Sequence, residues 1–489
     1  MNAPLRRVSI SVLVLFTLLI INVNIIQVVR ADKLRTDPSN TRVLIEEYSR
    51  ERGSIVVQGG TEIAKSTRTD DRLAYLRQYS NGPVYAPVTG YYSLVYNTWA
   101  LERYENDVLA GNDPRLFARR LADLFTGRDP SGGDLVLTLD PTVQQTAMDA
   151  LDGVTGAVVA LDPKTGAILG LASTPTYDPN QLSSHDPAAI RAYGNQLGQA
   201  NPDPRSNQAI NQRYSPGSVF KTIISAAALS NGYTPETTIP APDLLTLPGT
   251  RTTLENYNGE SCNGGADQSL IDAFTISCNT AFAQLGIDLG EDKVRSMAEA
   301  FGIDDEGFDM PLPVVGSTIG EIENDAQLGI SSIGQQDVQI TAMQGAMIAA
   351  AVANNGTLMQ PYLVDQVRAP DLTVIDQTDP EVKNKPVSQQ VAGELQQMMV
   401  SVVEHGTGRK ARIPGVTVGG KTGTAEVGDG QNPHTWFVGY AGEGDRQIAI
   451  AVFIKNGGQS GTEGTGTGGD ISAPIAQQVM SAYLGEQGG

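Results

Sequence analysis

From Val8 to Val29 the chain carries no charge and is largely aliphatic, with Arg6-Arg7 before the run and Arg30 after it. A helix of that length matches the hydrocarbon thickness of a bilayer, so the pattern predicts an uncleaved anchor. A signal peptide is the alternative, but the run is long for a signal core and no small-residue cleavage pattern follows it. Arg30, Lys33 and Arg35 offset Arg6 and Arg7, so charge alone does not orient the anchor. The short amino-terminal tail and the large carboxy-terminal body favour a body outside the membrane.

Beyond the anchor, short β-like runs (GSIVVQGG, YYSLVYN) alternate with polar, Tyr-rich stretches that hold no catalytic constellation. At LVLTLDPTVQQTAMDALDG a strand runs into a helix, with Asp140 as N-cap and Pro141 at the first helical position. The following GAVVALDPKTGAILGLAS reads as two adjacent antiparallel strands of a central sheet, and its imperfect alternation predicts burial on both faces. Helical patterns follow over Ser218 to Leu229, Leu270 to Leu289 and Thr341 to Asn354. Three β-rich segments come next (VTVGGKTGTAEV, HTWFVGYA, QIAIAVFIKN), then a Gly/Thr-rich stretch and a last helix from near Ala473-Pro474. The predicted fold is α+β, a central antiparallel sheet built from both ends of its domain, with helices on both faces and a helical block inserted. The expected organisation is a tail over 1–7, an anchor over 8–29, a small β-rich non-catalytic domain over 30–133 and a catalytic domain over 134–489.

At 489 residues, with 40% hydrophobic and 18% charged residues, core size is not limiting. Lys plus Arg number 34 against 54 Asp plus Glu, and the net charge of −20 excludes a sequence-independent nucleic-acid binder, which needs a basic surface. His185, His405 and His434 are scattered and there are two cysteines, too little for a zinc site. Cys262 and Cys278 would close a loop worth roughly 3 kcal/mol if oxidised, and oxidation is permitted outside the membrane. A bridge is the expectation and two unlinked thiols the alternative. A bridge would fix the backbone beside Cys278.

Three short strings carry the candidate chemistry, in the order Ser218-Val219-Phe220-Lys221, Ser277-Cys278-Asn279 and Lys421-Thr422-Gly423-Thr424. On a helix Lys221 would stand beside Ser218, and an amine whose pKa is lowered by burial can take the serine proton. A helix start at Ser218 would direct peptide N–H groups at a developing oxyanion. Taken alone, Ser218 could be a simple N-cap and Lys221 a solvated side chain. Ser277 and Asn279 can direct a hydroxyl and an amide into one cleft if a tight turn heads the next helix. Lys421, a cation in an apolar, Gly-flanked strand, calls for an anionic partner such as a terminal carboxylate, with Thr422 and Thr424 adding hydroxyl donors. Gly423 removes a side chain where substrate backbone would approach. Two look-alikes are set aside: Lys164-Thr165-Gly166 lies in a hairpin turn, and Ser261-Cys262-Asn263 lies in a loop-like stretch.

With these strings in place the chain resembles the penicillin-binding proteins, specifically the monofunctional class B transpeptidases, and in length and flavour the actinobacterial penicillin-binding protein A group. The resemblance runs from the anchor to the last helix. It rests on RGSI (Arg52 to Ile55), TLD (Thr138 to Asp140), ASTPTYDPN, YSPGSVFK, ISCNTAFAQLG, HGTGRKA (His405 to Ala411), GGKTGTAE and HTWFVG. One departure is Ile333-Gly334-Gln335-Gln336, where many relatives read G-Q-G, which puts local loop geometry in question. The resemblance implies a peptidoglycan D,D-transpeptidase with Ser218 as nucleophile, Lys221 as base, and Ser277 and Asn279 assisting proton transfer and binding. Lys421, Thr422 and Thr424 would hold the substrate carboxylate, and the N–H groups of Ser218 and Thr424 would form the oxyanion hole. It implies no metal or organic cofactor, inhibition by β-lactams, and a plasma-membrane protein whose catalytic domain is extracytoplasmic. The partners implied are peptidoglycan stem peptides, a membrane-embedded glycan polymerase and division or elongation proteins, with the first domain as a pedestal or docking platform.

A D,D-carboxypeptidase or β-lactamase shares the three strings, but the preceding domain and amino-terminal anchor oppose it. A β-lactam sensor would carry several spans, and a bifunctional enzyme needs more chain before Thr138. The Gly/Thr-rich segment from Gly457 to Asp470 reads as a disordered loop in preference to a mobile wall of the site.

Overall fold

The computed structural model describes residues 2–30, 47–116, 125, 131–428, 431–444, 446–459 and 466–485. Helix α1 (Asn2–Asn24) continues through a π-helical turn to Val29. The stretch Pro4–Val29 is long and apolar enough to cross a membrane. The helix starts before the apolar run because Arg6 and Arg7 are good helix formers, so helicity extends past the change in hydropathy. Lys33 and Arg35 lie outside the described residues.

Two large sheets organise the body. Their strands, in chain order, are β1 (Ile55–Val56), β2 (Glu62–Arg68), β3 (Tyr75–Tyr79), β4 (Asp134–Leu137), β5 (Gly156–Leu161), β6 (Ile168–Thr174), β7 (Val364–Arg368), β8 (Val374–Gln377), β9 (Val418–Ala425), β10 (His434–Glu443) and β11 (Arg446–Ile454). The first sheet runs β8-β7-β4-β1-β2-β3, with β1 and β4 parallel through Ile55↔Leu135 and Val56↔Val136. It therefore joins strands from before residue 133, just after it, and far along the chain.

The second sheet runs β9-β10-β11-β5-β6 and is antiparallel throughout. Its strands come from both ends of the catalytic region, as the sequence pattern predicts. Helix α4 (Ala342–Ala353) packs on one face, where Gly345 approaches Val438 and Ala451. Helix α5 (Ser472–Leu484) packs on the other, with the Ser472 hydroxyl 3.0 Å from that of Thr435. Thr435 and Val438 differ by an odd number of positions along β10, so their side chains leave opposite faces. Covering both faces explains why β5 and β6 are buried at every position instead of alternating.

Local signals act as expected at several joints. The Asp140 side chain accepts from Thr142 N–H and Val143 N–H at 2.7 and 3.1 Å and starts the helix Pro141–Ala150. Lys164 lies in the turn between β5 and β6, its N–H donating to Asp162 Oδ1 at 2.8 Å, so the first K-T-G string is structural. In the amino-terminal part, the buried Glu102 carboxylate binds Arg52 Nε and Arg77 Nε at 2.6 and 2.7 Å and accepts from the Tyr79 hydroxyl at 3.0 Å. The RGSI string thus supplies, through Arg52, one of the two cations of a core ion cluster.

Candidate active site

Ser218 lies in a 3-10 turn, Gly217–Phe220, and helix α2 (Lys221–Ser230) begins after it. The single helix expected from Ser218 is therefore a turn followed by a helix. Gly217 is the cause: its φ is +53°, and a Cβ there would run into the Thr424 carbonyl of β9. Its N–H donates to Gly334 O at 3.0 Å. The turn is pressed against the K-T-G-T strand, which brings Ser218 to Thr424.

Gly423 completes that contact from the other side. A Cβ on it would lie 2.5 Å from Pro216 O, 2.9 Å from Val219 Cγ2 and 3.0 Å from Trp436 Cβ. The close neighbour of Gly423 is thus the protein's own serine-bearing turn, where a substrate backbone had been expected.

Lys221 and Lys421 are both fully buried and meet at Ser277. Lys221 Nζ donates to Ser277 O and Asn279 Oδ1 at 2.7 Å each and lies 3.3 Å from Ser277 Oγ. Lys421 Nζ donates to the same Oγ at 2.8 Å and to Thr422 O at 3.0 Å. Phe282 and Phe274 stand 5.6 and 5.5 Å from the two ammonium nitrogens. Burial pushes the Lys221 pKa well below the ordinary lysine value, and the like charge of Lys421 pushes it the same way. Burial brings Lys421 down to about 7. The Lys221 amine, held by Ser277 and Asn279, is in this way disposed to be neutral and to accept a proton.

The relay string is held in a strained turn. Ser277 has φ +66°, a left-handed conformation costing on the order of 1–2 kcal/mol for a residue with a Cβ. Two ties hold it. Cys278 is bonded to Cys262, with Cα atoms 5.8 Å apart, so the look-alike Ser261-Cys262-Asn263 is cross-linked to the string it imitates. The second tie is Asn256, whose Oδ1 accepts from Asn279 N–H at 2.8 Å and Thr280 N–H at 3.1 Å. It caps helix α3 (Asn279–Leu289), which its own N-cap residue, Cys278, does not.

A cleft of about 1140 Å³ opens onto Ser218, Ser277, Asn279, Thr422 and Thr424. Sequence reasoning missed Asn256 and Thr407, both of which also line it. The Thr407 hydroxyl is 2.6 Å from that of Thr422. Its only sequence signal was the HGTG string, and Asn256 had only its nearness to Cys262.

The Gly/Thr-rich segment needs correction at its described end. Gly468 N–H is 3.4 Å from Thr424 Oγ1, Asp470 pairs with Lys410 at 2.9 Å, and Thr467 lines the cleft. A Cβ on Gly468 would strike Gly423 O and Trp436 O, so this part is a close-fitting wall and not a disordered loop. Residues 460–465 lie outside the described residues. Gln336, where the family resemblance leads one to expect glycine, lines the cleft with φ +60°. It adopts the conformation glycine would take with less strain.

A sheet and three strings arranged in this way define a class, and the chain belongs to the penicillin-binding protein transpeptidase family. Residues 156–481 match the penicillin binding protein transpeptidase domain, and 52–135 match the penicillin binding protein A dimerisation domain. Over 99% of its length the chain is 48% identical to peptidoglycan D,D-transpeptidase PbpA of Mycolicibacterium smegmatis, covering 100% of that protein. It is 47% identical to PbpA of Mycobacterium tuberculosis, with 99% of each chain covered. Among solved structures it is similar to the ceftriaxone acyl-enzyme complex of penicillin-binding protein A from M. tuberculosis, with TM-score 0.86 and 46% identity over 90% of this chain and 100% of that one. The penicillin G acyl-enzyme complex gives TM-score 0.84, again at 46% identity, over 89% of this chain and 100% of that one.

Proposed function

We propose that the protein is a peptidoglycan D,D-transpeptidase acting through a Ser218 acyl-enzyme. The observation that carries this reading is the convergence of two buried lysines on Ser277 beside the serine-bearing turn. Ser218 Oγ attacks the carbonyl of the penultimate D-Ala while its proton passes to neutral Lys221. The N–H groups of Ser218 and Thr424 receive the oxyanion. The bond to the terminal D-Ala breaks, and its nitrogen takes a proton through Ser277. Asn279 binds the donor peptide. Lys421, Thr422 and Thr424 hold the terminal carboxylate, with Gly423 keeping the strand close to the serine turn. A second stem peptide's amine then attacks the acyl carbonyl, forms the cross-link and releases Ser218. A β-lactam enters the same first step.

The long apolar amino-terminal helix supports a single-pass plasma-membrane protein with its catalytic domain outside. Residues 1–7 form the tail, 8–29 the anchor, 30–133 the platform and 134–489 the catalytic unit. A membrane-embedded glycan polymerase and division or elongation proteins are the expected partners.

A fluorescent penicillin should label the intact protein covalently and release slowly, and Ser218→Ala should abolish labelling. Persistent labelling of that variant would sink the assignment, and rapid turnover of the label would indicate a hydrolase. Mass spectrometry without reduction reports the acylated residue and the Cys262–Cys278 bridge together.

A further inference from the structure

A second cavity, of about 590 Å³, shares no lining residue with the catalytic cleft. One wall comes from the amino-terminal part, with Trp99, Arg103 and Tyr104, and the other from residues 203–211 with Leu312 and Pro313. Most polar groups of the second wall are already satisfied. Arg205 pairs with Asp203, and the amides of Asn207 and Asn211 donate to Pro87 O and Pro313 O at 2.9 and 3.3 Å. The first wall is different. Trp99 and Tyr104 are 41% and 49% exposed, whereas Trp436, the chain's other tryptophan, is 0% exposed. The Arg103 guanidinium has no carboxylate partner among the described residues and stands 5.9 Å from the Tyr104 ring.

Trp99 is also presented at a cost. Asn97 and Ala100, on either side, have φ of +59° and +50°, and a Cβ on Gly90 would strike the Trp99 carbonyl. At Ala100 the pair φ +50° and ψ −133° lies outside the left-handed helical well, in backbone that glycine favours, and costs on the order of 1–3 kcal/mol, a strain of the kind that collects at functional sites. The volume suits a ligand of a few rings, in place of a flat protein partner. Exposed aromatic faces receive the C–H faces of pyranose rings. A guanidinium without a carboxylate partner among the described residues, on a protein of net charge −20, selects an anionic or carbonyl-bearing substituent.

We infer that this cavity is a saccharide site that holds the glycan strand of peptidoglycan, its sugar rings on Trp99 and Tyr104 and a carboxylate or acetamido group on Arg103. The inference rests on peptidoglycan being the substrate. Holding the polymer at a second point raises the effective concentration of its stem peptides at Ser218 without adding a contact in the cleft.

The test uses the full-length protein in detergent, titrated with peptide-free glycan strands bearing free lactyl carboxylates and, separately, with neutral chitotetraose. Saturable heats and a change in tryptophan emission are expected with the stripped glycan, because the emission change must come from exposed Trp99. Trp99→Ala and Arg103→Ala should each weaken that binding by about tenfold in calorimetry. Chitotetraose, which keeps the acetamido groups but lacks the carboxylates, should bind more weakly and lose less affinity on Arg103→Ala. Both variants should keep wild-type penicillin labelling, which shows that they are folded, but cross-link long glycan more slowly. No saturable binding by the wild type, or equal affinity in both variants, would overturn the saccharide site. Labelling at Ser218 is read independently, so failure of the transpeptidase reading would be seen as loss of labelling in the wild type itself.

Discussion

In the amino-terminal part Glu102 is fully buried between Arg52 and Arg77, and in the catalytic cleft Lys221 and Lys421 are just as deeply buried. Burial opposes ionisation of Glu102, but the guanidiniums of Arg77 and Arg52 outweigh it and hold the carboxyl below its ordinary value. The lysines have the opposite surroundings. Their hydrogen bonds go to neutral oxygens of Ser277, Asn279 and Thr422, and their charges repel. Opposite charges buried together remain ionised and fix the backbone around them. Like charges buried together give up a proton, and that instability supplies a base.

The most direct way to break the comparison is to remove one member of each group. Lys221→Met should lower the rate of β-lactam acylation by about 10²–10⁴-fold, the usual contribution of a general base. The folded protein should change little in stability, because the cost of burying an amine is removed while Ser277 O and Asn279 Oδ1 lose a donor. Glu102→Gln should do the reverse, costing about 3–5 kcal/mol in denaturant unfolding while the folded fraction acylates normally. If both substitutions affected stability alone, the distinction between the clusters would fail.

The pH dependence sharpens it further. Both lysine pKa values are depressed, so the unfolded chain binds more protons between the folded value and the ordinary lysine value. Stability attributable to Lys421 should therefore fall as pH drops from about 10 to about 7, then level. In acylation kinetics an ascending limb is expected from Lys221 losing its proton and a descending limb, near pH about 7 in the free enzyme, from Lys421 losing its own. Lys421→Arg should remove the descending limb, because guanidinium stays charged. A limb unchanged by that substitution would assign it elsewhere.

Smaller effects separate cleft chemistry from cleft shape. Thr407→Val removes the hydroxyl 2.6 Å from Thr422 and should slow acylation by about tenfold, the value of one hydrogen bond, with Thr407→Ser restoring it. Wild-type acylation in Thr407→Val with a loss in Thr407→Ser would mean that the methyl packing matters and the hydroxyl does not. Gln336→Gly should leave acylation near wild type and change stability by no more than about 1 kcal/mol, the relief of strain at φ +60° offsetting the added freedom of the unfolded chain. A large change in acylation would mark Gln336 as part of the cleft's function.

Local pattern and order alone mark the apolar amino-terminal helix, the strands of the central sheet and the three strings. The hairpin β5–β6 is legible from two apolar runs around a Pro/Gly turn, and that turn disposes of the first K-T-G string. Tertiary structure alone decided what those strings touch. The Ser218 turn meets β9 because Gly217 and Gly423 both lack a side chain at the contact, a fact neither glycine's neighbours announce. Asn256 and Thr407 enter the site across long stretches of chain, so no local periodicity could mark them. Trp99 looks like one more aromatic in a Tyr-rich stretch until the fold sets it in a cavity beside Arg103. The first sheet joins strands from both sides of residue 133, so composition marks where the sequence changes character, whereas hydrogen bonding decides which strands form one sheet. Local pattern records how a segment buries its own face, but the identity of the surface it is buried against is settled only when distant segments compete for the same core.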